Sequence, residues 1–266
     1  MLKNKTHLLA LCLSLIAFSC SKEDANEQNQ LTSTSLSLLS ASSPFSFDSD
    51  FNGDDFQVDN DGNGAHNWDA DEYEDDPEDN GFDVRDFIWV EDGLLNLQCP
   101  NDNDGEKRRA EFRDQVNIDL NDAHSMDFTF DIRNYDNESE LIMAQLHNDN
   151  SNANRPYITI VAEDGEIRLQ RTNGPSGSSS TTASETIPFI ANNEYRIRID
   201  TDAGTRETFV RIINEDANER ADNTFSFASD WDDLDGDFYW KFGAYMPDGG
   251  STNTTMRLSR IDINGQ

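Results

Sequence analysis

Three short stretches, far apart in the chain, carry charged or proton-bearing side chains on alternate residues. In the first, Arg109, Glu111 and Arg113 alternate with Ala110 and Phe112. In the second, Gln145 and His147 flank Leu146, and in the third Tyr239, Lys241, Gly243 and Tyr245 alternate with Trp240, Phe242 and Ala244. Successive side chains of an extended strand point to opposite faces, so each stretch offers one polar face and one apolar face. The chemistry within reach is anion binding by guanidinium, ammonium and amide donors, and proton transfer by an imidazole and two phenols. Each stretch also has a plainer reading. Arg-x-Glu-x-Arg suits a solvated sheet face laced with ladder ion pairs. A lone histidine is more often a satisfied surface group than a base, and strand tyrosines usually pack across to a neighbour.

The elements that must position these groups are strands. After Asp86 the sequence falls into short alternating runs bounded by turn residues, with no convincing helical period. Strands are expected at Phe87–Val90, Leu94–Gln98, Met126–Ile132, Leu141–His147, Tyr157–Ala162, Ile167–Arg171, Tyr195–Ile199, Thr208–Ile213, Asp237–Tyr245 and Met256–Ile263. Asp164-Gly165 marks a two-residue hairpin. Tyr195, Ile197 and Ile199 alternate with Arg196, Arg198 and Asp200, as in a strand wet on one face. Ten such runs predict an all-β, concanavalin-like jelly-roll β-sandwich with a concave groove. Asn173–Thr182, with Gly174, Pro175, Gly177 and four serines, reads as a mobile surface loop, either a lid over a cleft or an inert insertion.

The beginning of the chain reads as targeting rather than fold. Lys3 and Lys5 precede an apolar run from Leu8 to Phe18, and Ala17, Phe18 and Ser19 lead into Cys20. This is expected to be a lipoprotein signal, cleaved before Cys20 with lipid on its thiol. Lys22-Glu23-Asp24 resembles the surface-export signal of Bacteroidetes lipoproteins. An outer-membrane, cell-surface or secreted location follows, with the membrane touched only through the anchor. The chain thus divides into a signal peptide at 1–19, a Ser/Thr-rich tether at 20–44 and a single domain at 45–266. Within that domain Cys99 stands alone, so no intramolecular disulfide is available and the lone thiol reads as a small buried hydrophobe.

A net charge of -33 repels nucleic acid and anionic lipid, and both drop out as partners. Such acidity suits a saline source, where salt screens self-repulsion. Not one Lys or Arg occurs from Glu23 to Val84, and carboxylates crowd the segment 48–79. Asp48-x-Asp50-x-Asn52-Gly53, with Asp59 at the twelfth place, partly fits a calcium loop, as does Asp59-x-Asp61-x-Asn63-Gly64. Flanking helices and the usual bidentate Glu are missing, which favours a solvated acidic loop beside an edge strand over a structural calcium site.

Taken together, the three alternating stretches resemble polysaccharide lyase family 7, the alginate lyases. That family carries Arg-(Ser/Thr)-Glu-(Leu/Val)-Arg, Gln-(Ile/Val)-His and Tyr-Phe-Lys-Ala-Gly-x-Tyr on one sheet. The counterparts here are Arg109 to Arg113, Gln145 to His147 and Tyr239 to Tyr245, and the resemblance covers roughly Gly93 to Ile263. Ala110, Phe112, Trp240 and Phe242 depart from the pattern on the inward parity, where swaps alter packing rather than chemistry. Leu146 replaces the residue that tracks guluronate or mannuronate preference, and Met246-Pro247 stands where Asn-Gln is common.

The resemblance implies a lyase that cuts a 1,4-linked uronic-acid polymer, an anionic polysaccharide, by β-elimination and needs no cofactor or metal. Arg109 and Gln145 would neutralise the uronate carboxylate and Tyr245 would protonate the leaving oxygen; Tyr245 would also be the base where both events lie on the same side of the ring, and His147 the base for the opposite epimer. Arg113, Lys241, Glu111 and Tyr239 would hold the flanking polymer, with Glu111 orienting the arginines. A monomer is expected. Lys107, Arg108, Arg109, Arg113 and Lys241, extended by Arg168, Arg196 and Arg198, predict a basic groove on an acidic body. A lyase of another uronan such as glucuronan, and a non-catalytic glycan-binding lipoprotein, are the competing readings. A laminarinase-like hydrolase is disfavoured, because no strand carries its spaced carboxylates.

Overall fold

The structure, a computed structural model, describes residues 55–264 except 63, 80, 102–104, 115–117, 151, 152, 154, 203 and 235–237. The signal peptide, Cys20, the tether and the loop at Asp48–Gly53 lie outside the described residues.

The chain opens with β1 (Asp55–Asp59), β2 (His66–Trp68), the short helix α1 (Ala70–Asp75), β3 (Glu78–Asp79) and β4 (Phe82–Asp83). Then come β5 (Ile88–Glu91), β6 (Leu94–Cys99), β7 (Arg108–Arg113), β8 (Ser125–Arg133), β9 (Leu141–Asn148) and β10 (Ile158–Glu163). The rest is β11 (Glu166–Thr172), β12 (Thr181–Pro188), β13 (Glu194–Asp202), β14 (Glu207–Asn214), β15 (Glu219–Ser226), β16 (Phe238–Met246) and β17 (Thr254–Asn264). Two large antiparallel sheets result. One has eight strands in the order β12-β11-β10-β9-β16-β7-β1-β2, the other seven in the order β15-β14-β13-β8-β17-β6-β5. This is the expected jelly-roll β-sandwich.

Alternation explains which faces meet. In β13 Tyr195, Ile197 and Ile199 are buried while Arg196 and Arg198 face outward. From the eight-stranded sheet, Ala110, Phe112, Ala144, Leu146, Trp240, Phe242 and Ala244 all turn into the core. Phe242 ties the layers together, its ring centroid 4.7 Å from Phe112 in its own sheet and 5.2 Å from Phe128 in the other. Burying a side chain of this size contributes about 1.5–3 kcal/mol, and a sandwich with no disulfide depends on such terms. Cys99 belongs to the same core, fully buried, and burial pushes its thiol up, which leaves it without nucleophilic character.

The structure departs from several expectations. The acidic segment is not a solvated loop throughout: β1 pairs with β7 from Asp55↔Arg113 to Asp59↔Arg109, directly beside the first alternating stretch. Phe56 and Val58 point into the core there, an alternation masked by the surrounding carboxylates. Next to it α1 interrupts the strand succession. Asp69 caps it by accepting from Glu72 N at 2.8 Å while its own N–H donates to Glu72 Oε2 at 3.2 Å, and Tyr73 Oη docks on Ile88 O at 2.9 Å. The stretch Asn173–Thr182 joins β11 to β12 at the surface, its last two residues already in β12, with Asn173 N donating to Ser180 O at 2.9 Å and Asn173 Nδ2 donating to Ser180 Oγ at 2.8 Å. Both β12 and β15 escaped prediction because edge strands need little apolar surface: β15 buries only Ala221 and Phe225. Finally, Arg196 and Arg198 lie on the outer face of the seven-stranded sheet, bound to Asp127 and Asp200, so they cannot extend a basic groove on the eight-stranded one.

Of the second calcium-like loop, Asp59 is a buried strand-end residue whose Oδ1 accepts from Gly62 N at 2.9 Å. Among the described residues no group of three or more His, Cys, Asp or Glu is arranged to hold a metal ion.

Candidate active site

The three chemistry-bearing stretches are adjacent strands. β16 lies between β7 and β9, with Lys241 opposite Arg113 on one side and Gln145 on the other, and Tyr239 opposite His147. Arg109, Gln145, His147, Lys241 and Tyr245 line one cleft of about 240 Å3 on the outer face of this sheet, walled also by Glu140, Ile142, Arg155, Pro156, Thr159, Gln170, Thr172 and Pro247. Glu111, Arg113 and Tyr239 stand under or beside it. A register shift between Phe242 and Tyr245 sets the last tyrosine against both Arg109 and Ile142. Gly243, at φ +145, makes this possible: a Cβ there would lie 2.4 Å from Ala110 O and 2.7 Å from Glu111 Cα. The third stretch therefore needs a glycine on its polar parity so that β7 can approach.

Beneath the cleft sits a buried charge network. Glu111 is 1 % exposed. It receives Lys241 Nζ at 2.6 Å, Gln145 Nε2 at 2.8 Å and Arg109 Nη1 at 3.3 Å. Burial alone would raise the Glu111 carboxyl, but Lys241 and Arg109 outweigh it and hold the group below the usual carboxylate range. Burial pulls Lys241 down, against the opposing pull of Glu111. Glu111 thus bonds Arg109, whereas Arg113 has a different partner: its Nη2 reaches Asp149 Oδ1 at 3.0 Å. Lys241 faces the cleft with its ammonium committed to Glu111. Gln145 spends one amide hydrogen on Glu111 and keeps the other for a ligand oxygen.

Two guanidiniums lie over two phenols. Arg109 is 4.3 Å from the Tyr245 ring centroid, and Arg113 is 4.2 Å from that of Tyr239. Burial raises the Tyr245 phenol above its ordinary value, with Arg109 opposing, so it is a protonated donor at neutral pH. Tyr239, pushed up to about 12 by burial, packs its ring 5.4 Å from His147. His147 departs from the unperturbed imidazole assumed from sequence. Burial first, and Lys241 second, lower its pKa to about 4, so at neutral pH it is uncharged. Nδ1 lies 2.9 Å from Asn148 O. Asn148 N lies at the same 2.9 Å from Nδ1, so the tautomer sets which of the two backbone groups is bonded; in the tautomer that donates to the carbonyl, the lone pair is on Nε2, where it can accept a proton.

Sequence reasoning found the floor of the cleft and missed its walls. Thr159 and Gln170 pair with each other in β10 and β11, and Thr159 pairs with Gln145, which continues the polar row outward from β9. Their parity was readable in strands correctly expected; their place two strands along the sheet was not. Arg155 joins the wall from the β9–β10 connection, donating Nη1 to Ser179 O of the β11–β12 turn at 2.7 Å. Arg168, by contrast, is paired with Glu163.

The arrangement can bind an anion at Arg109 and Gln145, accept a proton at His147 and donate one from Tyr245. Comparison with known proteins agrees with that repertoire. A family model described as alginate lyase matches residues 54–264, reaching upstream of the Gly93 boundary drawn from the motifs and taking in β1. Among solved structures the chain is similar to alginate lyase A1-II', a member of polysaccharide lyase family 7, at 17% identity and TM-score 0.61, covering 80% of this chain and 94% of that one. It is also similar to an alginate lyase from Pseudomonas aeruginosa, at 16% identity and TM-score 0.57 over 80% and 98% of the two chains. A third similar structure, from Corynebacterium sp., is 12% identical with TM-score 0.54 over 80% and 94%. No curated protein matches.

Proposed function

The chain belongs to the alginate lyase family, whose model spans residues 54–264, and on that premise we propose how its own side chains carry out the reaction. It is a polysaccharide lyase that cleaves the 1,4-linked uronate polymer alginate by β-elimination. Breaking the C4–O bond this way requires loss of the proton on C5, a carbon made a poor acid by the neighbouring carboxylate. Arg109 and the remaining Gln145 hydrogen take up charge as it spreads onto that carboxylate, an electrostatic contribution of about 3 kcal/mol per donor. His147 Nε2 removes the proton, the electron pair becomes the C4=C5 double bond, and the Tyr245 hydroxyl protonates the departing O4. Lys241 and Glu111 hold Arg109 and Gln145 in position, while Tyr239 packs beside the imidazole with Arg113 over its ring. One observation supports this assignment of roles above the others: a neutral imidazole, a protonated phenol and an anion-binding pair line the same cleft.

One of the similar solved structures is a family 7 alginate lyase in complex with its substrate GGMG, which supports an alginate chain as the occupant. His147→Ala is expected to lower kcat by about a hundredfold with folding intact, as read from the absorbance of the new double bond. The free-enzyme acid limb should follow the depressed imidazole. A base with a pKa of about 4 stays unprotonated until the pH falls well below 6, so kcat/KM should hold through pH 6 and drop nearer 4. A limb at about 6.5, the unperturbed value, would count against His147 as the base.

We also propose that a lipid on Cys20 holds the enzyme at the outer membrane, on the support of the Lys3 to Cys20 pattern. Cys20→Ala should move the protein out of the membrane fraction; an unaltered partition would reject the anchor.

A further inference from the structure

Two charged groups of the cleft, Glu140 and Arg155, take no part in the reaction as described. Glu140, the residue before β9, lines the cleft with Arg109, Ile142 and Tyr245. It is half-buried, yet its carboxylate makes no hydrogen bond or ion pair among the described residues and keeps access to solvent. The cations near enough to influence it are engaged, Arg168 with Glu163 and Arg155 with Ser179 O. Exposed Asp248 adds a second negative charge beside it, and burial together with Asp248 raises its pKa.

An unpaired carboxylate in a cleft for a polyanion has two consequences of the same sign. It repels the acid group of any uronate turned toward it. It also accepts strong hydrogen bonds from hydroxyls turned toward it, since a charged acceptor binds an O–H better than a neutral one. Both effects select one orientation of the sugar. We propose that Glu140 is a specificity-determining residue that accepts hydrogen bonds from the ring hydroxyls of the uronate seated beside Tyr245, leaving that sugar's carboxylate to Arg109 and Gln145. This rests on the assignment of the cleft to the alginate chain and deepens it. The two uronates of alginate present their ring hydroxyls at different angles, so Glu140 weighs one against the other.

The test is steady-state kinetics of Glu140→Ala and Glu140→Gln on poly-mannuronate and poly-guluronate, followed by double-bond absorbance. Because Glu140 has no partner to lose, both variants should keep the wild-type unfolding midpoint. Glu140→Ala should raise KM about tenfold on at least one polymer, leave kcat within about twofold, and shift the ratio of kcat/KM between the polymers. Glu140→Gln, which keeps an uncharged acceptor, should raise KM by a smaller factor. An unchanged or lowered KM in either variant, on both polymers, would mean that Glu140 merely repels the chain or takes no part, and would overturn the proposal. That failure is separable from failure of the catalytic assignment, which would show as normal rates in the His147 variant.

Discussion

Tyr245→Phe is expected to lower kcat about a thousandfold while leaving the unfolding midpoint and the KM for alginate close to wild type. The substitution removes one oxygen from a residue whose ring keeps its place under Arg109, 4.3 Å from the guanidinium carbon. What is lost is the proton for the leaving O4. General acid catalysis of this kind contributes about a hundred- to ten-thousandfold, and an alkoxide leaving without a proton is a poor leaving group. Burial is what equips the phenol: it raises the pKa above its usual value even with Arg109 adjacent, so the hydroxyl carries its proton throughout the neutral range. Anion binding at Arg109 and Gln145 is untouched, which is why KM should hold. A tenfold or smaller loss of kcat would place the acid elsewhere.

The second large effect concerns stability. Glu111→Gln should destabilise the fold by about 3–5 kcal/mol, the usual cost of removing one partner from a buried ion pair. Lys241, 4% exposed, would be left as a buried cation without its carboxylate, and Arg109, partly exposed at the cleft, would lose the same partner. Urea midpoints of Glu111→Gln and of Glu111→Leu/Lys241→Met provide the measurement. Replacing both charges should restore much of the loss, because apolar pairs tolerate burial at little cost. A loss below about 1 kcal/mol in the single variant would show that the pair is better solvated than its geometry indicates. The pH dependence has a fixed sign. Since the folded pKa of Glu111 is depressed, its contribution is complete above the unfolded carboxylate value of about 4.3. It is lost as pH falls through the lower folded value. Activity should fall with stability here, because Glu111 also orients Arg109 and Gln145.

How far the sequence led depended on where each strand sits. In the middle of a sheet one face must be apolar, and β7, β9 and β16 accordingly announced both their core residues and their polar row. Parity identifies a face but not a sheet. Arg196 and Arg198 have the same alternating signature as Arg109 and Arg113, yet strand order puts them on opposite sides of the sandwich. The partner of Lys241 was hidden for a related reason. The Glu111–Lys241 bond joins residues 130 positions apart, and it forms because β16 inserts between β7 and β9 rather than beside its sequence neighbours. Edge strands such as β12 and β15 carry too little apolar surface to be seen. In β1 the Phe56 and Val58 signal was drowned by acidic neighbours, although the strand pairs with β7 over its whole length. Two wall residues of the cleft, Glu140 and Arg155, come from connections whose placement no local pattern specifies.

The central claim is that side chains from β7, β9 and β16 act on a single sugar ring. The most direct measurement is a crystal structure of the Tyr245→Phe protein with an alginate tetrasaccharide bound. One uronate should place its carboxylate on Arg109 and Gln145, its C5 hydrogen toward His147 Nε2, and its O4 against the ring at position 245. A chain bound so that these groups touch different sugars, or with no C5 facing His147, would contradict the account.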